Sequence, residues 1–422
     1  MVYLICGVGQ AGGAIVDEMF AEKTLGRVAS PLAINSTLKD LQQLRNIPRS
    51  NWLGLSEVRG IIPGTTPGFE DLVVGGFGKD PRLATEVLSK NQAALNDFFR
   101  GFAARTTSNE NLAPKEWVEV KEEAEWTGVE EGVGSIPFAL IVLGLGGGTG
   151  CGASPLIAKA IREASAVTTT ILCVGVLPAT HEASAEGARG TYRQAWNTIY
   201  ALNELEKYVD GFILIDNERL AFTTNIELMF PEFNGYVAHA LNDLILGHLL
   251  ESVDPKRFEG LSLPVIDIRD IVSSVSFGSG RKQRRPGYAS LGWAAEPTKN
   301  FWGFFLPFLH NAKVDMAGLF QLAFRKQSIH GADPREAKKN LGLVRLPVQI
   351  AARRKMFPQT GLIEAELGKL TQLNETHFGI TVGRRPLVSV NTIFTYERKQ
   401  LSRLRRVQEL ANRYSRSGVV GV

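Results

Sequence analysis

Residues 138–155, FALIVLGLGGGTGCGASP, constrain this chain more than any other stretch. Phe138 to Leu143 are six consecutive apolar residues, the pattern of a strand buried on both faces of a parallel sheet. Gly144, Gly146, Gly147, Gly148, Gly150 and Gly152 follow within nine residues. Backbone without Cβ atoms can bring its N–H groups close to an anion. Leu156 to Ala164 then reads as helix. Strand, glycine loop and helix in this order place a phosphate at a helix N-terminus, where free N–H groups and the helix dipole favour negative charge. A tight turn alone needs one or two glycines; six, with Thr149 among them, point to anion binding.

Another glycine loop opens the chain. Val2 to Cys6 reads as a strand, Gly7, Gly9 and Gly12 form GVGQAG, and a helix runs to about Phe20. Alone, this G-x-G-x-x-G fits a dinucleotide-binding, NAD(P)-dependent oxidoreductase. That reading expects an acidic residue for the ribose at the end of the second strand. The strand here, Pro31 to Ile34, ends in Asn35, and the loop at 146 is left without a task. Residues 45–70, broken by Pro48, Pro63, Gly64, Pro67 and Gly68, read as loop. Gly75, Gly76 and Gly78 lead through Asp80-Pro81 into a helix from about Arg82 to Phe102, a pattern that also fits simple helix capping.

The 422 residues suffice for two to three domains, and 44% hydrophobic with 21% charged residues is an ordinary globular composition. A net charge of +4 argues against a salt-adapted acidic proteome and is too mild to imply nucleic acid. Cys6, Cys151 and Cys173 lack metal-ligand spacing and read as reduced core residues of a cytoplasmic protein. No apolar run has the length of a membrane span, and Val2 to Cys6 is too short for a signal peptide.

Beyond the third helix, residues 109–131 hold eight Glu and two Lys, expected as a solvated acidic insertion over about 106–134. Thr168 to Leu177 reads as strand, Glu182 to Lys207 as helix, and Gly211 to Ile215 as strand, closing at Asp216-Asn217. An Asn at such a point commonly forms a turn. Phe233 to Leu250 reads as one long apolar helix joining two domains. Asp267 and Asp270, three apart, share a face at a helix start, suited to capping or to chemistry. Arg281, Lys282, Arg284 and Arg285 fall in a loop. Leu346–Ile350, Phe378–Val382 and Val388–Phe394 read as strands of a smaller α+β domain. From Arg398 to Arg416 an apolar stripe of Leu401, Leu404, Val407 and Leu410 lies under a cationic face with seven basic residues.

GGGTGCG at 146–152 resembles the signature loop of the tubulin/FtsZ superfamily of GTPases, and further motifs fall in the family's order. GQAGG at 9–13 is similar to the first phosphate loop, with Gln10 near the phosphates and a magnesium ion. Asn35-Ser36-Thr37 and Asp40 resemble the second loop, and the Gly78 loop resembles the one that senses the γ-phosphate. Glu186-Gly187 matches the pair whose Glu meets the ribose, and Asp216-Asn217 the pair whose Asn reads the guanine edge. Asn234-Gly235-Tyr236 resembles the G-G-Y of the archaeal CetZ branch, where Tyr236 would stack on the base. That branch places an Asn four residues later; this chain has Ala240, with His239 and Asn242 nearby.

The resemblance implies an α/β fold: a Rossmann-like GTPase domain over 1–232, a central helix and linker over 233–262, an α+β activation domain over 263–397, and a basic helix and tail over 398–422. It implies GTP/GDP and Mg2+ as ligands, and head-to-tail filaments of the chain itself as its assembly. The nucleotide would meet Gly9, Gln10, Ala11, Gly12, Gly13, Asn35, Gly78, Gly146, Gly147, Gly148, Thr149, Gly150, Glu186, Asn217 and Tyr236. Asp267 and Asp270 of the next subunit would polarise the attacking water. A nucleotide-binding scaffold that does not turn over is the alternative within the same fold.

Overall fold

The computed structural model describes residues 3–72, 76–107, 136–165, 169–180, 187–220, 226–246, 266, 268–278, 284–298, 314–347, 365, 367–368, 377–383 and 385–416. The acidic insertion, Glu186, Asp267 and the basic residues 281–282 therefore lie outside the described residues. The chain forms two compact units, residues 1–238 with 403–422, and residues 239–402.

The first unit is a sheet covered by helices. Its elements are β1 (Tyr3–Val8), α1 (Gly9–Met19), β2 (Ala29–Asn35), α2 (Leu38–Gln42), β3 (Trp52–Ser56), β4 (Gly60–Pro63), α3 (Phe69–Leu72), α4 (Pro81–Lys90), α5 (Gln92–Thr107), β5 (Phe138–Gly144), α6 (Thr149–Ala164), β6 (Thr170–Leu177), α7 (Gly187–Leu205) and β7 (Gly211–Asp216). α8 (Ile226–Ile245) follows. Strands run in the order β7-β6-β5-β1-β2-β3-β4, parallel except for β4. Every residue of β1 and β7 is buried, as the uninterrupted apolar runs require of a sheet covered on both faces.

The topology fixes where a ligand belongs. From β1 the chain moves outward through β2 and β3, then crosses back to β5 on the other side of β1. The carboxyl ends of β1 and β5 therefore flank a switch point, where open α/β sheets form their binding crevice. Each of these two strands is followed at once by a glycine loop and a helix. α1 lies very close to the sheet: a Cβ on Gly12 would sit 2.1 Å from the carbonyl oxygen of Val142. Gly12 is thus a packing residue facing β5.

Several boundaries differ from the sequence reading. The stretch 45–70 contains the β3–β4 hairpin and α3 in place of a loop. Its strands are short, Gly60 opens β4 at φ +72°, and Pro63, which reads as a breaker, ends it. The helix expected over Arg82–Phe102 is two helices separated at Asn91, whose Nδ2 donates to the Val87 carbonyl at 2.7 Å. α6 starts at Thr149 rather than Leu156, so Gly148 caps it and Gly150 and Gly152 fall in its first turn. α8 starts at Ile226 rather than Phe233.

The second unit contains α9 (Ile268–Ser274), the β8 (Ser276–Phe277) and β9 (Arg285–Pro286) ribbon, β10 (Tyr288–Pro297), α10 (Met316–Arg325), β11 (Lys339–Pro347), β12 (His377–Gly383) and β13 (Leu387–Tyr396). β13 pairs antiparallel with β10 and β11, and β12 pairs parallel with β11. Phe320 and Leu319 of α10 pack into a core with Val344, Ile380 and Val390. The strand expected at Leu346–Ile350 begins earlier, at Lys339, and residues 348–350 lie outside the described residues.

The last helix, α11 (Ser402–Arg416), completes the first unit. Val407, Leu410 and Ala411 pack on Ala195 and Ile199 of α7. The Tyr414 ring lies 6.1 Å from that of Trp196.

Candidate functional site

At the switch point lies a cleft of about 580 Å3. That volume falls within the range of small-molecule sites. Its lining comes from the first unit: the loops after β1, β2 and β5, the loop before α4, and the ends of β6 and β7. Gly9, Gln10, Ala11, Asn35, Gly78, Gly146, Gly147, Gly148, Thr149, Gly150 and Asn217, all expected from sequence to meet a ligand, line it together. Gly12 and Gly13 are buried in α1 and do not line it. Tyr236 is half-buried on α8 outside the lining, its ring parallel to Phe233 at 6.3 Å. Asp270 stands in the second unit, half-buried in the first turn of α9.

The backbone is arranged for an anion. Gly9 opens α1 at φ +73°, where a side chain would be strained, and a Cβ there would lie 3.3 Å from the Gly150 nitrogen. The two glycine loops therefore meet edge to edge, and α1 and α6 both start at the cleft. Free N–H groups and two helix dipoles converge there, which favours phosphate. Lys79 and Asp40 supply the ionisable side chains of the lining.

Side chains around the cleft hold this arrangement in place, Asn197 and Thr198 among them passed over by the sequence reading. Asn197 of α7 is wholly buried, and its Nδ2 lies within hydrogen-bond reach of the carbonyls of Lys79, Gly146 and Gly147, at 2.9, 3.0 and 3.3 Å. One amide thus ties the signature loop to the loop before α4. Lys79 sits at φ +63°, the non-glycine residue with positive φ among the described residues, a conformation that costs on the order of 1 kcal/mol. Thr198, one residue beyond Asn197, donates to the Leu145 carbonyl at 2.8 Å. The hydroxyls of Ser36 and Thr149 lie 2.7 Å apart and join the second loop to the signature loop. Asn35 donates to Asp40 at 3.1 Å and accepts from the Ser36 N–H at 2.8 Å. Asn197 stands in an ordinary amphipathic helix, and no local pattern marks it.

Asp80 caps α4, accepting from the Arg82 N–H at 2.9 Å. Partial burial would raise its carboxyl, but hydrogen bonds from the Arg82 side chain and backbone, with the charges of Arg82 and Arg193, hold it below its ordinary value. Burial pushes the Cys151 thiol far up, so this cysteine of the signature loop is a neutral core group.

At the other end of the cleft, Asn217 follows β7. Its neighbour Asp216 is wholly buried and accepts from the Glu218 N–H at 3.1 Å and from Arg403 Nε at 2.9 Å. Arg403 is itself 5% exposed. The cationic face expected of the last helix thus loses one member, turned inward by a buried carboxylate.

Ala240 and its neighbour His239 are engaged elsewhere. Ala240 is fully buried. The His239 ring stacks on Trp293 at 5.8 Å, with Nδ1 3.3 Å from Arg385 Nη1.

Residues 85–225, about a third of the chain, match the family model described as Tubulin/FtsZ family, GTPase domain. Tubulin-like protein CetZ3 of Haloferax volcanii is 27% identical over 301 residues, covering 70% of this chain and 60% of the relative. The match thus spans less than two thirds of that relative's length. Among solved structures, CetZ2 from Haloferax volcanii, a GTPgS-bound protofilament, superposes with a TM-score of 0.62 at 18% identity, covering 99% of each chain. The GDP-bound monomer of CetZ1 from the same organism gives 0.63 at 19%, covering 98% of this chain and all of that one. Residues 85–225 thus match a tubulin/FtsZ GTPase domain, and the chain is similar in sequence and in fold to the archaeal CetZ proteins.

Proposed function

We propose that the protein binds GTP in the cleft, assembles head to tail, and hydrolyses GTP at a site completed by the next subunit. The observation that carries this reading is the meeting of two glycine loops and two helix N-termini at the sheet's switch point, with Asn217 at the far side of the same cleft. The phosphates belong at the glycine loops and the base toward Asn217, whose amide can both donate and accept. The solved CetZ2 neighbour is a protofilament, which supports assembly of this chain by the same fold.

Magnesium fits this cleft as an ion carried on the phosphates. Gln10 and the hydroxyls of Ser36 and Thr149 offer neutral oxygens, suited to an ion that keeps several of its waters. Gln10 would hold it indirectly, and the bound ion would neutralise phosphate charge. Hydrolysis then rests on positioning and charge stabilisation. Asp267 and Asp270, the latter in the first turn of α9, are the groups assigned to the attacking water, acting on the nucleotide of the neighbouring subunit. Glu186 is assigned to the ribose, and Tyr236 to the base once Phe233 gives up its stacking face.

Neither alternative gains from the geometry. A dinucleotide oxidoreductase needs an acidic residue at the end of β2, where Asn35 instead donates to Asp40. GTP-dependent sedimentation with phosphate release tests the proposal. Pelleting with GTP and not with GDP, with release that tracks the pellet, is expected. Assembly with no release would leave the non-hydrolysing scaffold.

A further inference from the structure

Resting on the nucleotide reading above, we propose that Arg403 of the C-terminal helix is a positioning residue for base recognition, setting the Asn217 turn from behind the cleft. Asn217 lies between two anchored acids. The Asp216 carboxylate spans it: Oδ1 accepts from the Glu218 N–H at 3.1 Å, and Oδ2 accepts from Arg403 Nε at 2.9 Å. On the other side, Glu218 Oε2 accepts from the Thr180 N–H at 2.6 Å and the Thr180 hydroxyl at 3.0 Å, with Arg403 Nη2 at 3.4 Å. Arg403 also donates to the Thr180 hydroxyl at 3.3 Å and to the Pro178 carbonyl at 2.5 Å. One guanidinium therefore joins the segment after β6 to the turn after β7, and both Pro178 and Asn217 line the cleft.

The fork geometry makes this a device for orientation. Guanidinium donors are fixed in one plane, so several acceptors on two loops are held in a single mutual arrangement. With Arg403 and Asp216 both buried, neither charge can swing to water without a large cost, so the arrangement is rigid. The helix carrying Arg403 packs on α7 through Val407 and Leu410, and the same α7 carries Asn197, which holds the phosphate-loop carbonyls. The C-terminal helix thus reaches the base end of the cleft through Arg403 and the phosphate end through α7. A positioning role predicts that losing Arg403 changes which base is preferred while leaving triphosphate recognition intact.

The test measures Kd for GTP, ATP and inorganic tripolyphosphate in wild type, Arg403→Met, Arg403→Lys and Thr180→Val, each checked for folding by circular dichroism. In Arg403→Met the GTP-over-ATP ratio should fall about tenfold, the scale of one hydrogen bond. Tripolyphosphate affinity should stay within about twofold, a fold-change worth only a few tenths of a kcal/mol. Arg403→Lys should recover part of the ratio, and Thr180→Val should lose less of it. An unchanged ratio in the folded variants overturns the proposal. So does a parallel loss of tripolyphosphate affinity, which would mark general loosening. If Arg403→Met does not fold, unchanged ratios in Arg403→Lys and Thr180→Val overturn it equally. A wild-type protein that binds no nucleoside triphosphate removes the nucleotide reading itself; a discriminating wild type with equally discriminating variants removes this inference alone.

Discussion

Two buried aspartate–arginine pairs, one in each compact unit, share their chemistry and differ in their surroundings. In the second unit Asp243, near the end of α8, meets Arg345 of β11 at 2.6 Å. The same carboxylate accepts from Trp293 Nε1 at 2.9 Å and from the Ser389 hydroxyl at 2.6 Å. These partners lie on β10, β11 and β13, so the pair staples a helix to three strands. In the first unit Asp216 meets Arg403 at 2.9 Å, and its other oxygen turns the backbone at Asn217 on the edge of the cleft. A buried ion pair adds little net stability over an apolar replacement, yet breaking it is expensive. What such a pair provides is a unique arrangement, spent on sheet architecture in one unit and on the site in the other.

The largest effect is expected at the purely architectural pair. Asp243→Ala leaves Arg345 buried without its carboxylate and should cost about 3–5 kcal/mol, read by denaturant unfolding of the second unit. GTP affinity of the folded fraction should not change. A loss below about 1 kcal/mol, the range of surface pairs, would remove the contrast at its stronger end.

Arg403→Met should cost less, about 1.5–3 kcal/mol, because Asp216 retains the Glu218 N–H. Unlike Asp243→Ala, it should also lower base preference. If both variants lower stability and neither alters nucleotide choice, the two pairs are equivalent.

Thr149→Val approaches from the opposite side, since it alters the cleft and touches no ion pair. Losing the hydroxyl that meets Ser36 should weaken GTP binding by about 0.5–1.5 kcal/mol, with ATP weakened equally. Titration calorimetry would read this, and an unchanged Kd would make the signature-loop hydroxyl purely structural.

The smallest effect belongs to an exposed pair. Asp80 and Arg82 meet at 2.9 Å with side chains 32% and 48% exposed. Asp80→Asn keeps a capping oxygen and should cost no more than about 0.5–1 kcal/mol. The Asp80 carboxyl is held below its ordinary value of 3.8, so its contribution is present above that pH and is lost as pH falls through its lower folded value. Wild type and Asp80→Asn should therefore converge in stability as pH falls below 3.8 and through the lower folded value of the carboxyl. A difference that persists at low pH would assign Asp80 a role unrelated to its charge.

What was legible in the sequence was whatever local physics dictates. Uninterrupted apolar runs gave β1, β5, β6 and β7, and the glycine clusters directly after β1 and β5 gave the cleft its position. Less was legible where a breaker has two meanings. Gly60 and Pro63 read as loop, yet one opens β4 and the other ends it. The buried tethers Asn197 and Arg403 were not legible at all. Asn197 bonds residues about 50 and 118 positions away, and Arg403 reaches back 187 positions to Asp216. On a helical wheel Arg403 is one more cation of a basic helix, and only the tertiary fold supplies its carboxylate.

The central claim is a cleft completed by a second copy of the chain. GTP turnover in a mixture of Thr149→Val and Asp270→Ala subunits tests it most directly, at a GTP concentration the first variant binds poorly. An Asp270→Ala subunit keeps its cleft, and a Thr149→Val subunit keeps its acidic loop. Contacts that join the two intact halves should restore phosphate release above that of either variant alone, increasing with total protein concentration. Proven co-assembly with no more release than the separate variants would contradict the shared site and place the catalytic acids elsewhere.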